Sequence, residues 1–194
     1  MAKQFDRITD DQKAFVEAQH MFFTGTAAPD GRVNVSPKGQ DALRILSPNR
    51  VVWLNLTGSG NETAGHLLEH PRMTLMWCSF ERRPLIYRMY GTARTIHRGD
   101  TDWDGLYALF PDHPGARQVY DMAVEMTQTS CGYAVPFMDF AGDRDTLTRW
   151  TEDRKGRDGG LPAYWAEKNM QTIDGRPTGF PQDLTRAPRP EEAG

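Results

Sequence analysis

Residues 51–77, V-V-W-L-N-L-T-G-S-G-N-E-T-A-G-H-L-L-E-H-P-R-M-T-L-M-W, contain the pattern from which we infer the fold. The apolar run at 51–56 is rich in β-branched and aromatic residues, which is typical of a strand. Small polar residues follow at 57–61, then a helical segment that should end before Pro71, and then a second apolar run. The predicted order is therefore strand, tight loop, helix, strand.

The loop at 57–61 is the leading candidate for an anion site. Ser59 and Glu62 have the spacing of a capping box, and Asn61 is itself a favourable N-cap residue. Backbone N–H groups at the positive end of a helix, with hydroxyl groups beside them, provide the donors that a phosphate needs. The hydroxyl groups are those of Thr57, Ser59 and Thr63. An ordinary capped turn has the same pattern, so the loop alone leaves both interpretations open.

Length and charge limit the class of protein. The chain has 194 residues, with 23 Lys and Arg against 26 Asp and Glu, a net charge of −3. We expect one domain over residues 1–175 and a Pro-rich, flexible tail over 176–194. Because the chain has no long basic run, nucleic acid is not expected as a partner.

Other compositional features concern the cellular compartment. No apolar stretch reaches the length of a membrane span, and the N-terminal residues lack the apolar centre of a signal peptide. We therefore expect a cytoplasmic protein with no membrane partner. Cys78 and Cys131 lie far apart in apolar runs without a C-x-x-C pattern, so they are predicted to be buried thiols in a reducing compartment.

Six strand-like runs and several helical segments complete the prediction. The strands are 21–27, 32–36, 43–46, 51–56, 73–80 and 85–96, joined mostly by turns such as A-P-D-G, S-P-N-R and E-R-R-P. Short turns between successive strands favour an antiparallel barrel, with Pro37 ending the second strand and Gly91 making a bulge or bend in the last. Helices are predicted at 10–20, at two segments of 100–128 on either side of P-D-H-P, and at 143–155, with a further strand at 131–137.

Several catalytic and metal-binding patterns are weak or missing. His66 and His70 lie four residues apart and could face one another as metal ligands, but the third ligand and catalytic Glu of a zinc hydrolase are missing from this pattern, so a solvated helix face and no metal are predicted. The chain lacks G-x-S-x-G, the P-loop lysine and the G-x-G-x-x-G spacing. Arg88 lies among apolar strand residues, where it needs either a partner or an exposed face.

Two strand ends in this prediction converge on one place. The strand at 32–36 alternates, with Val33 and Val35 on one face and polar residues on the other, and Ser36 and Lys38 lie at its end. The loop at 57–63 ends another strand, and adjacent strands of a barrel could bring both ends together. A cation, several hydroxyl groups and a helix N-terminus describe a phosphate pocket suited to a phosphorylated planar cofactor.

Four motifs resemble those of the FMN-binding split-barrel proteins related to pyridoxamine 5′-phosphate oxidase. They are S-P-K-G (36–39), T-G-S-G-N-E-T-A-G-H-L (57–67), L-M-W-C-S-F (75–80) and R-M-Y-G (88–91), and the resemblance continues at K-N-M-Q-T-I-D-G (168–175). This resemblance implies a mainly β fold with flanking helices, a six-stranded antiparallel split β-barrel, and a homodimer with FMN at its interface.

The resemblance also implies roles for individual residues. Ser36 and Lys38 would lie near the phosphate or ribityl chain of FMN, and Thr172 and Asp174 would approach the flavin ring from the partner subunit. Arg88 belongs to the same set of candidates, and the binding loop would contribute Thr57, Ser59, Asn61, Glu62 and Thr63. Vitamin-processing oxidases of this kind have S-R-K where this chain has N-E-T (61–63), and they end in an R-x-H-D-R-like motif that this chain lacks. Both departures argue against oxidation of pyridoxamine phosphate itself.

The function that follows is an FMN-dependent oxidoreductase acting on a small molecule of unknown identity. The sequence assigns no catalytic acid or base. One alternative is a flavin-binding protein without turnover, which stores FMN or senses redox state. Another is a related split barrel that binds deazaflavin or haem in place of FMN.

Overall fold

The computed structural model describes residues 2–155, 157 and 159–186. The strands are β1 (Lys3–Phe5), β2 (Phe22–Thr26), β3 (Asn34–Lys38), β4 (Leu43–Ser47), β5 (Arg50–Leu56), β6 (Arg72–Cys78), β7 (Ile86–His97) and β8 (Ala116–Ser130). The α-helices are α1 (Asp10–Glu17), α2 (Glu62–Glu69), α3 (Trp103–Tyr107), α4 (Thr146–Lys155) and α5 (Gly160–Lys168), and a 3₁₀ turn spans Asp183–Thr185.

The strands form one antiparallel sheet with helices around it, as predicted, although the described residues contain eight strands where six were expected. The hydrogen-bonded order is β3-β2-β6-β7-β8-β5-β4, and β1 pairs with β8. The predicted turns at A-P-D-G, S-P-N-R and E-R-R-P all join paired strands. The loop before α2 and the helix itself are also where the sequence predicts them.

Pro37 does not end its strand, which corrects one prediction. It lies opposite Phe23, and Lys38 lies opposite Phe22, so β3 continues through both residues. β3 is at one edge of the sheet. Proline is tolerated in an edge strand because its missing N–H can lie on the side that has no partner strand.

Gly91 makes the predicted bulge in β7. The pairing of β7 with β8 shifts register between Tyr90 and Gly91. A Cβ atom at this position would collide with the backbone carbonyl of Ala123. The sequence needs glycine here because β8 approaches too closely for a side chain.

The largest error of the sequence prediction concerns residues 116–126, which form β8 and not a helix. β8 is hydrogen-bonded to β5 on one side and to β7 on the other. Residues 116–122 are buried without alternation, and a strand covered on both faces loses the period of two that identifies strands in a sequence. The predicted strand at 131–137 is also wrong, since these residues form turns and irregular structure.

The main core lies between the sheet, α1 and α2. Its largest fully buried side chains are Trp53, Trp77, Tyr87 and Tyr120. The two cysteines lie outside this core: Cys78 is half-buried and Cys131 is exposed, so the prediction of two buried thiols is wrong.

The C-terminal part folds back onto the sheet. α5 and the 3₁₀ turn pack together through Leu161, Trp165 and Phe180, so part of the region predicted as a tail is packed, while residues 187–194 lie outside the described residues. No helix in the described part of the chain is both long and apolar enough to cross a membrane.

Candidate functional site

The loop before α2 is held by contacts that the sequence did not predict. Asn61 is the N-cap residue, but its side chain donates from Nδ2 to the carbonyl of Asn169 (3.2 Å) and accepts at Oδ1 from Gln118 (2.7 Å). The carboxylate of Glu62 accepts from the backbone N–H of Ile173, at 3.0 and 3.1 Å. The predicted capping box between Ser59 and Glu62 is therefore not formed, and the helix has no side-chain cap.

A cavity of about 260 Å³ lies at this loop, and we call it the small pocket. Six predicted site residues line it: Ser36, Lys38, Ser59, Asn61, Glu62 and Thr63. The remaining lining residues are Asn34, Asn55, Gly60, Arg117 and Tyr120. The structure thus brings the end of β3 and the loop after β5 together, although β3 and β5 are not the adjacent strands that the prediction assumed.

Two other predicted residues lie outside the small pocket. Thr57 is buried, and its hydroxyl donates to the carbonyl of Gly115 (2.9 Å) while accepting from Trp165 Nε1 (3.0 Å). Arg88 lies on β7, where Nη1 donates to Ser130 Oγ at 3.3 Å. Neither side chain lines the small pocket of this chain.

Thr172 and Asp174 pack on their own chain, where the resemblance implied an approach from a partner subunit. Asp174 accepts from the backbone N–H of Arg32 at 2.8 Å and is also paired with the Arg32 guanidinium. Thr172 is buried, and its methyl group occupies the space where a side chain on Gly65 of α2 would point. Within this chain, both residues fasten the C-terminal segment to α2 and the β2–β3 hairpin.

Arg117, which the sequence prediction missed, is the most unusual group in the small pocket. It is 3% exposed, and its Nη1 donates to Asn169 Oδ1 (2.7 Å), to the Gly60 carbonyl (3.0 Å) and to the Gly58 carbonyl (3.4 Å). Nε has no hydrogen-bond partner among the described residues. Burial lowers the pKa of this guanidinium to about 10, so it is still charged at neutral pH.

Lys38 is the second cation of the pocket. Its Nζ lies 3.3 Å from Asn55 Oδ1 and 5.2 Å from the centre of the Trp53 ring. Burial, and then the positive charge of Arg117, lower the pKa of Lys38 to about 8. The ammonium group is thus largely protonated at pH 7 and largely neutral at pH 9.

Neither cation is paired with a carboxylate. The ion pairs within residues 2–155, 157 and 159–186 include neither Lys38 nor Arg117. Glu62 lines the same pocket, but its carboxylate is engaged by the Ile173 N–H. A buried charge without a counter-charge is costly unless a ligand compensates it. The small pocket therefore has the electrostatics of an anion site.

Asn169 connects the C-terminal segment to this site. It is fully buried, and its side chain accepts from Arg117 and donates from Nδ2 to the Gly58 carbonyl at 3.0 Å. Its own carbonyl accepts from Thr178 Oγ1 at 2.6 Å as well as from Asn61. The segment following α5 thus holds both the loop and the arginine. Its only signal in the sequence is the motif at 168–175.

His66 differs from its predicted position on a solvated helix face. It is 1% exposed, and its Nδ1 lies 3.1 Å from Thr26 Oγ1. Within the described part of the chain, no three His, Cys, Asp or Glu side chains come together as metal ligands would. His66 therefore joins α2 to β2 in the packed interior.

A larger cavity of about 780 Å³ adjoins the small pocket, and Lys38 and Asn55 line both. We call it the large cavity. One wall is formed by Leu54 and Leu56 of β5, and the opposite wall by Leu147 and Trp150 of α4. The two cavities form a polar compartment beside a mainly apolar one, and Lys38 lies at the junction.

Comparison with known proteins identifies the family. Residues 8–131 match the family model described as pyridoxamine 5′-phosphate oxidase. The chain belongs to the pyridoxamine 5′-phosphate oxidase family. It is 33% identical over 190 residues to the pyridoxamine 5′-phosphate oxidase family protein ustO of Aspergillus flavus, covering 89% of this chain and 76% of that protein.

Solved structures show the same fold. A single-residue variant of HupZ from Group A Streptococcus superposes with a TM-score of 0.52 and 21% identity, covering 63% of this chain and 99% of that one. A Lactobacillus delbrueckii protein assigned as a pyridoxamine 5′-phosphate oxidase superposes with a TM-score of 0.51 and 20% identity, covering 63% and 94%. The antiparallel sheet with flanking helices is consistent with the split-barrel fold of this family.

The match to the family ends before the C-terminal part of the molecule. All residues that line the small pocket lie within 8–131, whereas Asn169 and helices α4 and α5 lie beyond it. The small pocket is thus built from family sequence and is held in place by a segment outside the family match.

Proposed function

We propose that the small pocket binds the phosphate group of FMN and that the protein is an FMN-dependent oxidoreductase acting on a small molecule. The observation that carries the proposal is the presence of two cations without a carboxylate partner at the start of α2, the buried Arg117 and the half-buried Lys38. A phosphate would supply the missing negative charge and accept hydrogen bonds from both.

The donors of the pocket fit such a ligand. Arg117 offers Nε, which lacks a partner among the described residues, and Lys38 uses one of its three N–H donors for Asn55. The uncapped N–H groups of the first turn of α2 would add further donors, because α2 has no side-chain cap. The hydroxyl groups that line the pocket belong to Ser36, Ser59, Thr63 and Tyr120.

The pocket accommodates only part of FMN. Its volume of about 260 Å³ is below the roughly 300–1,000 Å³ typical of complete ligand sites. The rest of the molecule would therefore extend beyond the small pocket. When bound, FMN supplies the electron-transfer chemistry, and the residues of this chain bind and orient it.

We also propose that the protein is a homodimer. Val33, directly before β3, and Val35 on β3 are 72% and 64% exposed, and β3 is an edge strand of the sheet. Apolar side chains on an unpaired sheet edge favour contact with a second chain. Sedimentation velocity of the wild type and of Val33→Lys tests this proposal, with a dimer expected for the first and dissociation for the second. A monomeric wild type would contradict it.

The first test of FMN binding is the near-UV and visible spectrum of the purified protein, followed by mass spectrometry of the small molecule that heat releases. We expect a two-banded oxidised-flavin spectrum and the mass of FMN. A haem or deazaflavin spectrum would change the proposed cofactor from FMN to the one that the spectrum identifies. A colourless protein that does not bind added FMN would contradict it.

The double variant Lys38→Ala with Thr63→Val tests the placement of the phosphate. We expect a large loss of FMN affinity with little change in the melting temperature of the ligand-free protein. Unchanged FMN occupancy would contradict the placement of the phosphate in the small pocket.

Turnover separates the enzyme from the binding-protein alternative. Reduction of bound flavin by a nicotinamide cofactor, followed by steady turnover with an acceptor, would support the enzyme. Flavin that stays oxidised with every donor would support storage or sensing. Because Asn61, Glu62 and Thr63 replace S-R-K, we expect no oxidation of pyridoxamine 5′-phosphate.

A further inference from the structure

The large cavity has a wall that lies outside the family match. Phe140, Arg144, Leu147 and Trp150 line it, and all four lie beyond residue 131. The opposite side comes from β3, β5 and the loop after β3, which are inside the family match. The wall at 140–150 is therefore the part of this cavity that lies outside the residues matched by the family model.

This wall is fastened at two points, to the segment before β2 and to the loop after β3. The rings of His20 and Phe140 are stacked, with centroids 3.6 Å apart and an interplanar angle of 6°. Gln40 Nε2 donates to the carbonyl of Arg144 at 2.7 Å. These two contacts fix the position of the wall, in which Phe140 is 51% exposed.

The loop that carries Gln40 is strained in a way that supports this contact. Gln40 and Asp41 have φ values of 61° and 51°, in the left-handed region that residues other than glycine rarely adopt. The Asp41 carboxylate is held by Arg44 through two hydrogen bonds, at 2.7 and 2.8 Å. This strained loop conformation directs the side-chain amide of Gln40 to the carbonyl of Arg144 in the wall.

The interior of the cavity suits a flat apolar group. Leu54 and Leu56 line one side, and Leu147 with the indole ring of Trp150 line the other. The volume of about 780 Å³ is within the range of small-molecule sites, which are mostly apolar with few polar groups. Aromatic pairs favour offset-stacked or edge-to-face arrangements, which a flat ring beside the indole of Trp150 can adopt.

Lys38 gives the cavity a cationic anchor at its junction with the small pocket. The ammonium group has three N–H donors, of which one is directed at Asn55. Because Lys38 lines both cavities, one remaining donor can serve the small pocket and the other can serve the large cavity. An acidic oxygen of a ligand in the large cavity would therefore find a charged donor at the junction.

We propose that the large cavity binds a substrate with a flat apolar ring system and a carboxylate directed at Lys38, while the small pocket holds the cofactor phosphate. This proposal rests on the proposed function for the identity of the cofactor. It goes beyond that function by naming the class of substrate and the wall, residues 140–150, that selects it.

The test uses 2-naphthoate as the probe and the full-length protein loaded with FMN. Isothermal titration calorimetry measures its dissociation constant, with 2-naphthylmethylammonium as the control of similar shape and opposite charge. We expect 2-naphthoate to bind at least tenfold more tightly than the cation and to leave FMN in place. Equal affinity for the two probes, or displacement of FMN by 2-naphthoate, would overturn the proposal.

A matched pair of variants places the probe in the cavity. Leu147→Trp fills the large cavity and should weaken 2-naphthoate binding at least tenfold, with FMN affinity unchanged. Leu46→Trp makes the same substitution at a leucine of β4 that lines neither cavity, and it should bind the probe as the wild type does. Wild-type affinity in Leu147→Trp would overturn the proposal.

The two proposals can fail separately. If the protein binds no FMN, the titration with 2-naphthoate is repeated in saturating inorganic phosphate. The same contrast between Leu147→Trp and Leu46→Trp then tests whether the probe binds in the large cavity. If FMN binds but 2-naphthoate does not, the large cavity is not a site for this class of substrate and the proposed function stands.

Discussion

Arg117 and Asp121 lie four residues apart on strand β8, and the surroundings of their two charges are opposite. Asp121 is 9% exposed and accepts hydrogen bonds from Arg50 (2.9 and 3.1 Å) and Arg94 (2.9 and 3.2 Å). Arg117 is even more buried and has no carboxylate partner among the described residues. A buried charge that the protein itself compensates is structural, whereas one that it leaves uncompensated indicates a ligand.

The largest expected effect is the loss of FMN affinity when Arg117, whose charge is not compensated, is replaced. Arg117→Gln should weaken FMN binding about a hundredfold, or about 2.7 kcal/mol, because a charged hydrogen bond to the phosphate is lost. Flavin-fluorescence titration measures the affinity. Arg94→Gln removes an arginine from the compensated cluster and is the matched control, with FMN affinity expected to be unchanged. Equal losses in both variants would remove the distinction between the clusters.

Replacement of Asp121, whose charge is compensated, should lower the stability of the protein. Asp121→Asn removes the acceptor charge for Arg50 and Arg94, and we expect the free energy of unfolding to fall by about 2 kcal/mol. Urea denaturation of the FMN-free protein measures this change. FMN affinity of the folded variant should equal that of the wild type, and a loss of affinity would contradict the structural role.

The pKa of the Asp121 carboxyl group also predicts how stability changes at acidic pH. Burial opposes ionisation, but the hydrogen bonds from Arg50 and Arg94 outweigh it and lower the pKa of Asp121 below its usual 3.8. Because the folded-state pKa is below the unfolded one, this stabilisation is complete above about pH 4 and is lost as pH falls through the folded-state pKa. Asp121→Asn should remove this part of the acid dependence.

On the uncompensated side, FMN affinity should fall as pH rises through about 8. Loss of the proton from Lys38 removes a positive charge, and we expect a roughly tenfold weaker affinity at pH 9.5 than at pH 7. The other charged or titratable side chains that line the two cavities are Arg117, Glu62, Tyr120, His20, Asp143 and Arg144. Lys38→Met should bind FMN weakly with little pH dependence over this range.

Stability of the FMN-free protein should change in the opposite direction. The pKa of Lys38 is lowered from 10.5 to about 8 on folding, so the unfolded chain binds more protons between these values. The contribution of this group to stability therefore rises with pH across that interval.

The affinity measurement decides the role of Lys38. A wild-type FMN affinity that does not change from pH 7 to 9.5 would contradict that role.

Asn169→Asp would convert the uncompensated cluster into a compensated one. It places a carboxylate where Asn169 Oδ1 now accepts from Arg117 at 2.7 Å. We expect FMN affinity to fall about tenfold by fluorescence titration, since the arginine gains a permanent counter-charge. Asn169→Ala loses the contact without adding charge and should lose only about threefold. Equal losses would show that position, and not charge, is what matters.

The smallest expected effect concerns Ser59. A working cap contributes about 1 kcal/mol, but α2 has no side-chain cap. Ser59→Ala should therefore leave the melting temperature unchanged, while FMN affinity falls about threefold through loss of a lining hydroxyl group. A clear drop in melting temperature would restore the predicted capping box.

Local patterns predicted much of the fold and part of the site. Turn residues at A-P-D-G, S-P-N-R and E-R-R-P placed three hairpins. Ser36 and Lys38 do line one pocket with the loop at 57–63, but β3 and β5 are not the adjacent strands from which this was predicted. Arg117 could not be found this way, because its segment was predicted to be helical. The capping box also failed, because Asn61 and Glu62 bind the C-terminal segment in preference to their own helix.

Residues close together in the chain were enough to specify the hairpins, the loop with helix α2, and the bulge at Gly91. Packing between distant segments made residues 116–130 the internal strand β8. The sequence did not predict this strand, because burial on both faces at 116–122 removes the alternation that identifies a strand. Packing also placed Asn169 and Asp174, since their hydrogen bonds reach residues more than 50 positions away. The uncompensated charge of Arg117 follows from that packing.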